Sequence, residues 1–203
     1  YETSFQERNQ LLNFGDGLIT LLHKKNSRED IRNYRPITLL NIIDYKIISK
    51  AYSLLLQPIL SEIMPQEQIG FLSKRYIISH IVHAQLLLEH AKLTESEILL
   101  IALDFEKAFD KVNHKYLFSV LQALGIPFEF ISFWTDLFST FKASIILNRK
   151  ITDSFPVLSG VRQGCPMSPL LYILATLPLQ FMLKEKIEGY TINSHRFYLQ
   201  TYA

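Results

Sequence analysis

The chain has 203 residues, 48% hydrophobic and 20% charged, the balance of a globular protein and not of a disordered or coiled-coil one. A formal charge of +2 neither demands nor excludes a polyanionic partner, so the distribution of charge has to decide. The single cysteine, Cys165, excludes an internal disulfide and fits a reducing compartment.

Gly17 to Lys25 (GLITLLHKK) predicts a strand, Asn26 to Arg35 a polar turn, and Ile37 to Leu40 a second strand. A helix is expected from about Ile42 to Ile63, with Ile43, Ile47, Ala51, Leu54 and Leu55 at helical spacing and Pro58 kinking or shortening it. Met64 to Phe71 reads as a loop and Ile77 to Leu88 as another helix. Ile98 to Phe105 (ILLIALDF) has the nearly unbroken apolar run of a strand covered on both faces. Asn113 is placed to cap a helix whose apolar face is Tyr116, Leu117, Val120, Leu121 and Leu124, with Gly125 as its stop. Pro127 opens an aromatic-rich helix running through Phe141. Ala143 to Leu147 and Ile151 to Val157 predict a hairpin around Asn148-Arg149-Lys150. A loop, Leu158 to Pro166, then leads into a helix starting near Ser168-Pro169. Its apolar stretch, Leu170 to Leu183, is interrupted by Pro178 and Gln180 and falls short of the roughly 18 residues of a membrane span. Strands and helices mix without a regular βαβ alternation, which predicts an α+β fold.

Three constellations could carry chemistry. Asp104 ends the apolar strand; if both strand faces are covered, its carboxylate has to be paired, protonated or bound to a metal. Glu106 and Asp110 follow closely, and oxygen-only clusters of this kind suit Mg²⁺. The plainer alternative is a strand that ends at Asp104, with Asp110 in a salt bridge or a helix cap. Ser159 to Pro169 (SGVRQGCPMSP) is a Gly- and Pro-shaped loop before a helix, where exposed N–H groups accept phosphate and Arg162 and Gln163 are natural donors. An ordinary turn with a solvated Arg162 fits the same residues, and Cys165 reads as a small buried hydrophobe. Finally, Lys24, Lys25, Arg28, Arg32 and Arg35 face only Glu29 and Asp30, a local surplus of three (five minus two). Such a basic tip can grip phosphates, or can simply be a solvated face. The six histidines show no zinc spacing with the lone cysteine.

In this order the segments resemble the reverse transcriptases of LINE-type (non-LTR) retrotransposons. Leu21-Leu22-His23-Lys24 and Asn33-Tyr34-Arg35-Pro36-Ile37-Thr38-Leu39-Leu40-Asn41 are similar to the fingers motifs, and Gln68-Ile69-Gly70-Phe71 to the next block. Leu103 to Val112 resembles the first catalytic palm motif and Ser159 to Pro169 the second, so the likeness covers about Gly17 to Ala203. The resemblance implies the fingers and palm of a right-handed polymerase, an antiparallel palm sheet with packed helices. Residues 1–16 would be a flank, about 17–97 mainly fingers and about 98–203 mainly palm. It implies RNA-directed DNA synthesis from a primer 3′ hydroxyl, with RNA template, DNA primer and dNTP as partners, no membrane, and the nucleus as the expected compartment. Carried over residue by residue, Asp104 is the metal-binding carboxylate and Phe105 adds its backbone carbonyl. Phe109 is the steric gate against a ribose 2′-OH. Arg162, Gln163 and Gly164 lie at the incoming nucleotide, and Lys24 and Arg35 hold its triphosphate. The cofactor implied is Mg²⁺, two ions in the complete enzyme, with Mn²⁺ able to substitute. Gln200-Thr201-Tyr202-Ala203 matches only the start of the third palm motif; its paired aspartates and the thumb lie outside the 203 residues. The expectation is a fragment, inactive by itself. A non-catalytic nucleic-acid-binding remnant and a degenerate relic are the other readings of the same residues.

Overall fold

A computed structural model describes residues 15–40, 45–193 and 195–197. The expected helix start near Ile42 and the expected last strand, Tyr198 to Ala203, lie outside them. Strands β1 (Asp16–His23) and β2 (Tyr34–Leu40) form an antiparallel hairpin, Gly17 opposite Leu40 and His23 opposite Tyr34. Its connection tightens into a 3₁₀ turn at Ile31–Asn33, where the Asp30 carboxylate accepts the Arg32 N–H. β3 (Lys142–Leu147) runs parallel to β1, with Asp16 opposite Lys142, so this sheet is mixed. β4 (Lys150–Ile151) and β5 (Phe155–Pro156) both pair antiparallel with β3. The expected strand over residues 151–157 is therefore two short pieces. Asn148 and Arg149 both take left-handed backbone (φ 51° and 62°), the geometry of a two-residue hairpin turn, so Lys150 already belongs to a strand.

The described α-helices are α1 (Ile47–Ile63), α2 (Ile77–Leu93), α3 (His114–Ala123), α4 (Phe128–Ser139) and α5 (Ser168–Lys186), followed by the hairpin β6 (Tyr190–Ile192) and β7 (His195–Phe197). α1 continues past Pro58 and α5 past Pro178, so neither proline shortens its helix. α3 starts where Asn113 predicts, because the Asn113 side-chain oxygen accepts the Tyr116 N–H at 3.0 Å. Leu117, Val120 and Leu121 form its buried face.

Two compact units divide the chain. The described residues of Tyr1–Leu54 and Lys107–Ala175 form the first, and those of Leu55–Glu106 and Thr176–Ala203 the second. The first is built around aromatic side chains with almost no exposure, among them Trp134, Tyr45 and Phe141. Phe138 lies 4.6 Å from Phe141, centroid to centroid. The second centres on Leu60, Met64, Ile69 and Leu72. There the buried Gln180 amide donates to the Gln68 oxygen at 2.7 Å, satisfying two polar groups that burial would otherwise penalise.

Ile98 to Phe105 departs from expectation. It is irregular, and no strand among the described residues pairs with it. Leu99, Leu100, Ile101 and Leu103 are 67% to 82% exposed. Apolar composition makes a strand only when a neighbour satisfies its backbone groups and covers its faces.

Candidate nucleotide-binding site

The Leu158–Pro166 loop is seated on the backbone of residues 109–112. Gly160 donates its N–H to the Val112 carbonyl at 2.7 Å, and Val161 to that of Phe109 at 2.8 Å. Gly160 has φ +87°, and a Cβ there would lie 2.8 Å from the Asp110 carbonyl oxygen. Only glycine fits both the left-handed backbone and that approach. From the other side His114 Nε2 donates to the Gly160 carbonyl at 2.8 Å. The imidazole packs edge-on against Phe138 at 4.8 Å, and burial pulls its pKa below the usual 6.5. Burial favours the neutral ring, and the Gly160 carbonyl, which pulls the pKa the other way, takes the proton at Nε2.

Next to Gly160, Arg162 turns inward and is 6% exposed. Its Nη2 donates to the carbonyl of Gly15 and, at 3.0 Å, to that of Lys142. Its guanidinium carbon lies 3.7 Å from the Phe141 ring centroid and 6.0 Å from that of Tyr45. Tyr45 in turn donates its hydroxyl to Cys165 Sγ at 3.0 Å, and burial raises the Tyr45 pKa well above the usual range. Cys165 is thus the buried small side chain expected of it.

Gln163 remains half-buried and donates its amide to the Asp110 carboxylate at 3.3 Å. Gly164 is exposed, with φ +104°, and a Cβ on it would stand 3.1 Å from the Thr38 carbonyl of β2. Phe109 stacks on Tyr172, rings 5.0 Å apart and 10° from parallel. Phe109, Gln163 and Gly164 thus belong to one unit, with the loop that carries Gln163 and Gly164 bonded to residues 109–112. Lys24 and Arg35 belong to the same unit and are exposed at the turn end of the β1–β2 hairpin, where the Lys24 N–H bonds the Asn33 carbonyl at 2.8 Å. Lys25 and Arg28 are exposed there too, while Arg32 pairs with Asp30 at 2.9 Å.

Asp104 and Phe105 belong to the other unit and are exposed. Asp104 does not end a covered strand: it is exposed to water where it stands, and burial forces no partner on its carboxylate. In kind, the Asp104 carboxylate and Phe105 carbonyl are hard oxygen donors and suit Mg²⁺. Among the described residues no three His, Cys, Asp or Glu side chains come together to hold a metal. Sequence reasoning missed the roles of His114, Tyr45 and Tyr172. Nothing local signals that His114 meets a carbonyl 46 residues away.

Residues 22–203 match the family described as reverse transcriptase (RNA-dependent DNA polymerase). The chain belongs to that family. Over 188 residues it is 34% identical to the "Transposon TX1 uncharacterized 149 kDa protein" of Xenopus laevis, covering 92% of this chain and 14% of that protein. Over 123 residues it is 28% identical to the "Retrovirus-related Pol polyprotein from type-2 retrotransposable element R2DM" of Drosophila melanogaster, covering 58% of the chain and 12% of the relative. A third, the "Retrovirus-related Pol polyprotein from type-1 retrotransposable element R2" of Popillia japonica, is 28% identical over 89 residues, 44% of the chain and 15% of the relative. The chain thus spans 12% to 15% of the length of these relatives. It is a reverse transcriptase domain of the non-LTR retrotransposon kind. No helix among its described residues is long and apolar enough to cross a membrane.

Proposed function

We propose that this domain extends a primer 3′ hydroxyl on an RNA template, selecting deoxynucleotides at the face shared by Phe109, Gln163 and Gly164. The observation that supports this reading is the seating of the Ser159–Cys165 loop on residues 109–112, which ties the segment of Phe109 to that of Gln163 and Gly164. Pre-set geometry of this kind is what a reaction governed by positioning requires. The Phe109 ring stacks on Tyr172, and a ring held in that position excludes a 2′-hydroxyl by overlap. Gln163, oriented by Asp110, lies against the incoming nucleotide. Arg162 contributes from beneath, tying the loop to the sheet instead of reaching the substrate. Lys24 and Arg35 receive the triphosphate, neutralising charge that builds up in phosphoryl transfer. Asp104 and the Phe105 carbonyl hold Mg²⁺, two ions in the complete enzyme. When bound, the metal lowers the pKa of the attacking hydroxyl and stabilises the leaving pyrophosphate.

A polypeptide of these 203 residues offers one carboxylate of the proposed metal set, Asp104, and is expected not to polymerise by itself. The test is therefore made in a chimera in which Ala203 runs on into the paired-aspartate strand and thumb of a relative. Primer extension by this chimera should fall by at least about a thousandfold with Asp104→Asn, the scale of losing a charge-stabilising group from an active site. Phe109→Ala should retain dNTP incorporation and admit ribonucleotides. Undiminished turnover of Asp104→Asn, or unchanged rejection of ribonucleotides by Phe109→Ala, removes the corresponding role.

A further inference from the structure

A second concavity, in the unit that contains Leu55–Glu106 and Thr176–Ala203, encloses about 410 Å³. That volume lies within the range of small-ligand sites. It lies between the loop before α2, the first turns of α2 and the β6–β7 hairpin, and its walls include Glu67, Lys74, Arg75, Tyr76, Arg196 and Phe197. Three cations therefore face one carboxylate, and Glu67 already pairs with Lys184 at 2.8 Å. Arg75 donates to the carbonyls of Pro65, Gln68, Ser61 and Met64. Carbonyls satisfy its N–H groups without cancelling its charge; Glu67 acts on it electrostatically, and against that one carboxylate the wall carries three cations, so the concavity stays electropositive. Lys74 and Arg196 are exposed at its edge. Beside them Tyr76 is 67% exposed, and Phe197 is packed by the His83 ring at 6.1 Å.

A surplus of cations selects a phosphate, and an exposed aromatic ring beside it offers a stacking surface for a base. We propose that this concavity takes one nucleotide unit of a single-stranded nucleic acid, its phosphate on Lys74 and Arg196 and its base on Tyr76. All three residues are exposed, so a strand reaches them from solvent. Two cations at the rim also match phosphodiesters better than the concentrated charge of a free triphosphate. The inference rests on the nucleic-acid reading above and adds a strand contact separate from Phe109, Gln163 and Gly164.

The test is fluorescence anisotropy of a labelled single-stranded oligouridylate, titrated with the 203-residue chain over a range of KCl concentrations. Lys74→Glu and Arg196→Glu should each weaken binding about tenfold or more and lower the slope of log K against log salt by about one. Tyr76→Ala should weaken it about tenfold with the slope unchanged, the signature of lost stacking. Reversal of the exposed Lys50 on α1 gives the size of a general charge effect, and circular dichroism confirms that each variant is folded. If the native chain binds the strand and the pocket variants lose no more than Lys50→Glu, this inference falls and the polymerase reading stands. If the native chain binds no strand at all, both fall. Displacement of the strand by UMP at equal phosphate concentration would mean that the pocket takes free nucleotides, and overturns the strand assignment. In the unsubstituted chain, 5-iodouridine in the strand should photo-cross-link to Tyr76 or Phe197; cross-links confined to other residues count against the proposal.

Discussion

Arg162 is a cation with no carboxylate against it among its hydrogen-bond partners, held by two backbone carbonyls and the faces of two rings. A planar guanidinium can serve both carbonyls while lying flat on Phe141; a lysine ammonium can do only one of these. Arg162→Lys should therefore lower unfolding free energy by about 2 kcal/mol, more than a surface exchange of the same residues. Equal urea midpoints for the two proteins would show that the carbonyl bonds contribute nothing net. His114 leads to a pH prediction. Burial holds its pKa below 6.5 in the fold, so as pH falls through about 6.5 the unfolded chain binds the proton first and stability declines. His80 is shifted the same way, by its burial and then by His83. The melting temperature should drop between about pH 7 and about pH 5. His114→Gln, which keeps a donor for Gly160, should remove part of that drop; a pH-independent melting temperature in the native chain would contradict the assignment. Asp30, held low by Arg32, titrates below this window and does not contribute to it.

The loop from Ser159 to Cys165 owes its course to Gly160. A methyl group there meets the Asp110 carbonyl and Cα at 2.8 and 2.9 Å, on a backbone at φ +87°. Neither atom is the end of a flexible side chain, so relaxation has to move main chain. Gly160→Ala should cost about 3 kcal/mol in urea unfolding, the sum of left-handed strain and the displaced contact. A loss under about 0.5 kcal/mol would mean that the loop can shift freely. At the same level α3 and the β3–β4 turn contrast with residues 98–105. Asn113 caps α3 through a partner three residues away, and the turn needs only Asn148 and Arg149 to take left-handed backbone. Both are local events, and the cap was legible in the residues themselves. Residues 98–105 carry as strong a strand pattern as any in the chain, yet the pattern specifies burial without naming the partner that provides it.

For the molecule as a whole, the consequence of a stretch that pairs with no strand among the described residues is colloidal. Leu99, Leu100, Ile101 and Leu103 form a continuous run of exposed apolar side chains, a surface that favours self-association. The chain Tyr1–Ala203 should associate reversibly as its concentration rises in sedimentation velocity. Leu100→Lys with Ile101→Lys should reduce that association and leave the unfolding free energy within about 0.5 kcal/mol. Unchanged association would locate the sticky surface elsewhere. The two compact units interleave along the sequence, each made of two stretches. That is why no linker or shift of composition marks a boundary between them.

The sequence by itself determined the features set by neighbours a few residues apart: the β1–β2 hairpin, the helical segments with the Asn113 cap of α3, and the motif wording that identifies a reverse transcriptase. It did not determine which way Arg162 faces. A loop arginine next to a glutamine reads as a donor to solvent or ligand, and only the parallel placement of β3 beside β1 brings the carbonyls of Lys142 and Gly15 to it. Nor could it bring His114 to Gly160, or set the rim of Lys74, Tyr76 and Arg196 around one cavity. The physical reason is common to all three. Capping and turn preferences are decided by local hydrogen bonds and backbone sterics, whereas burial, ring packing and charge compensation depend on groups remote in the chain that only the folded arrangement makes neighbours.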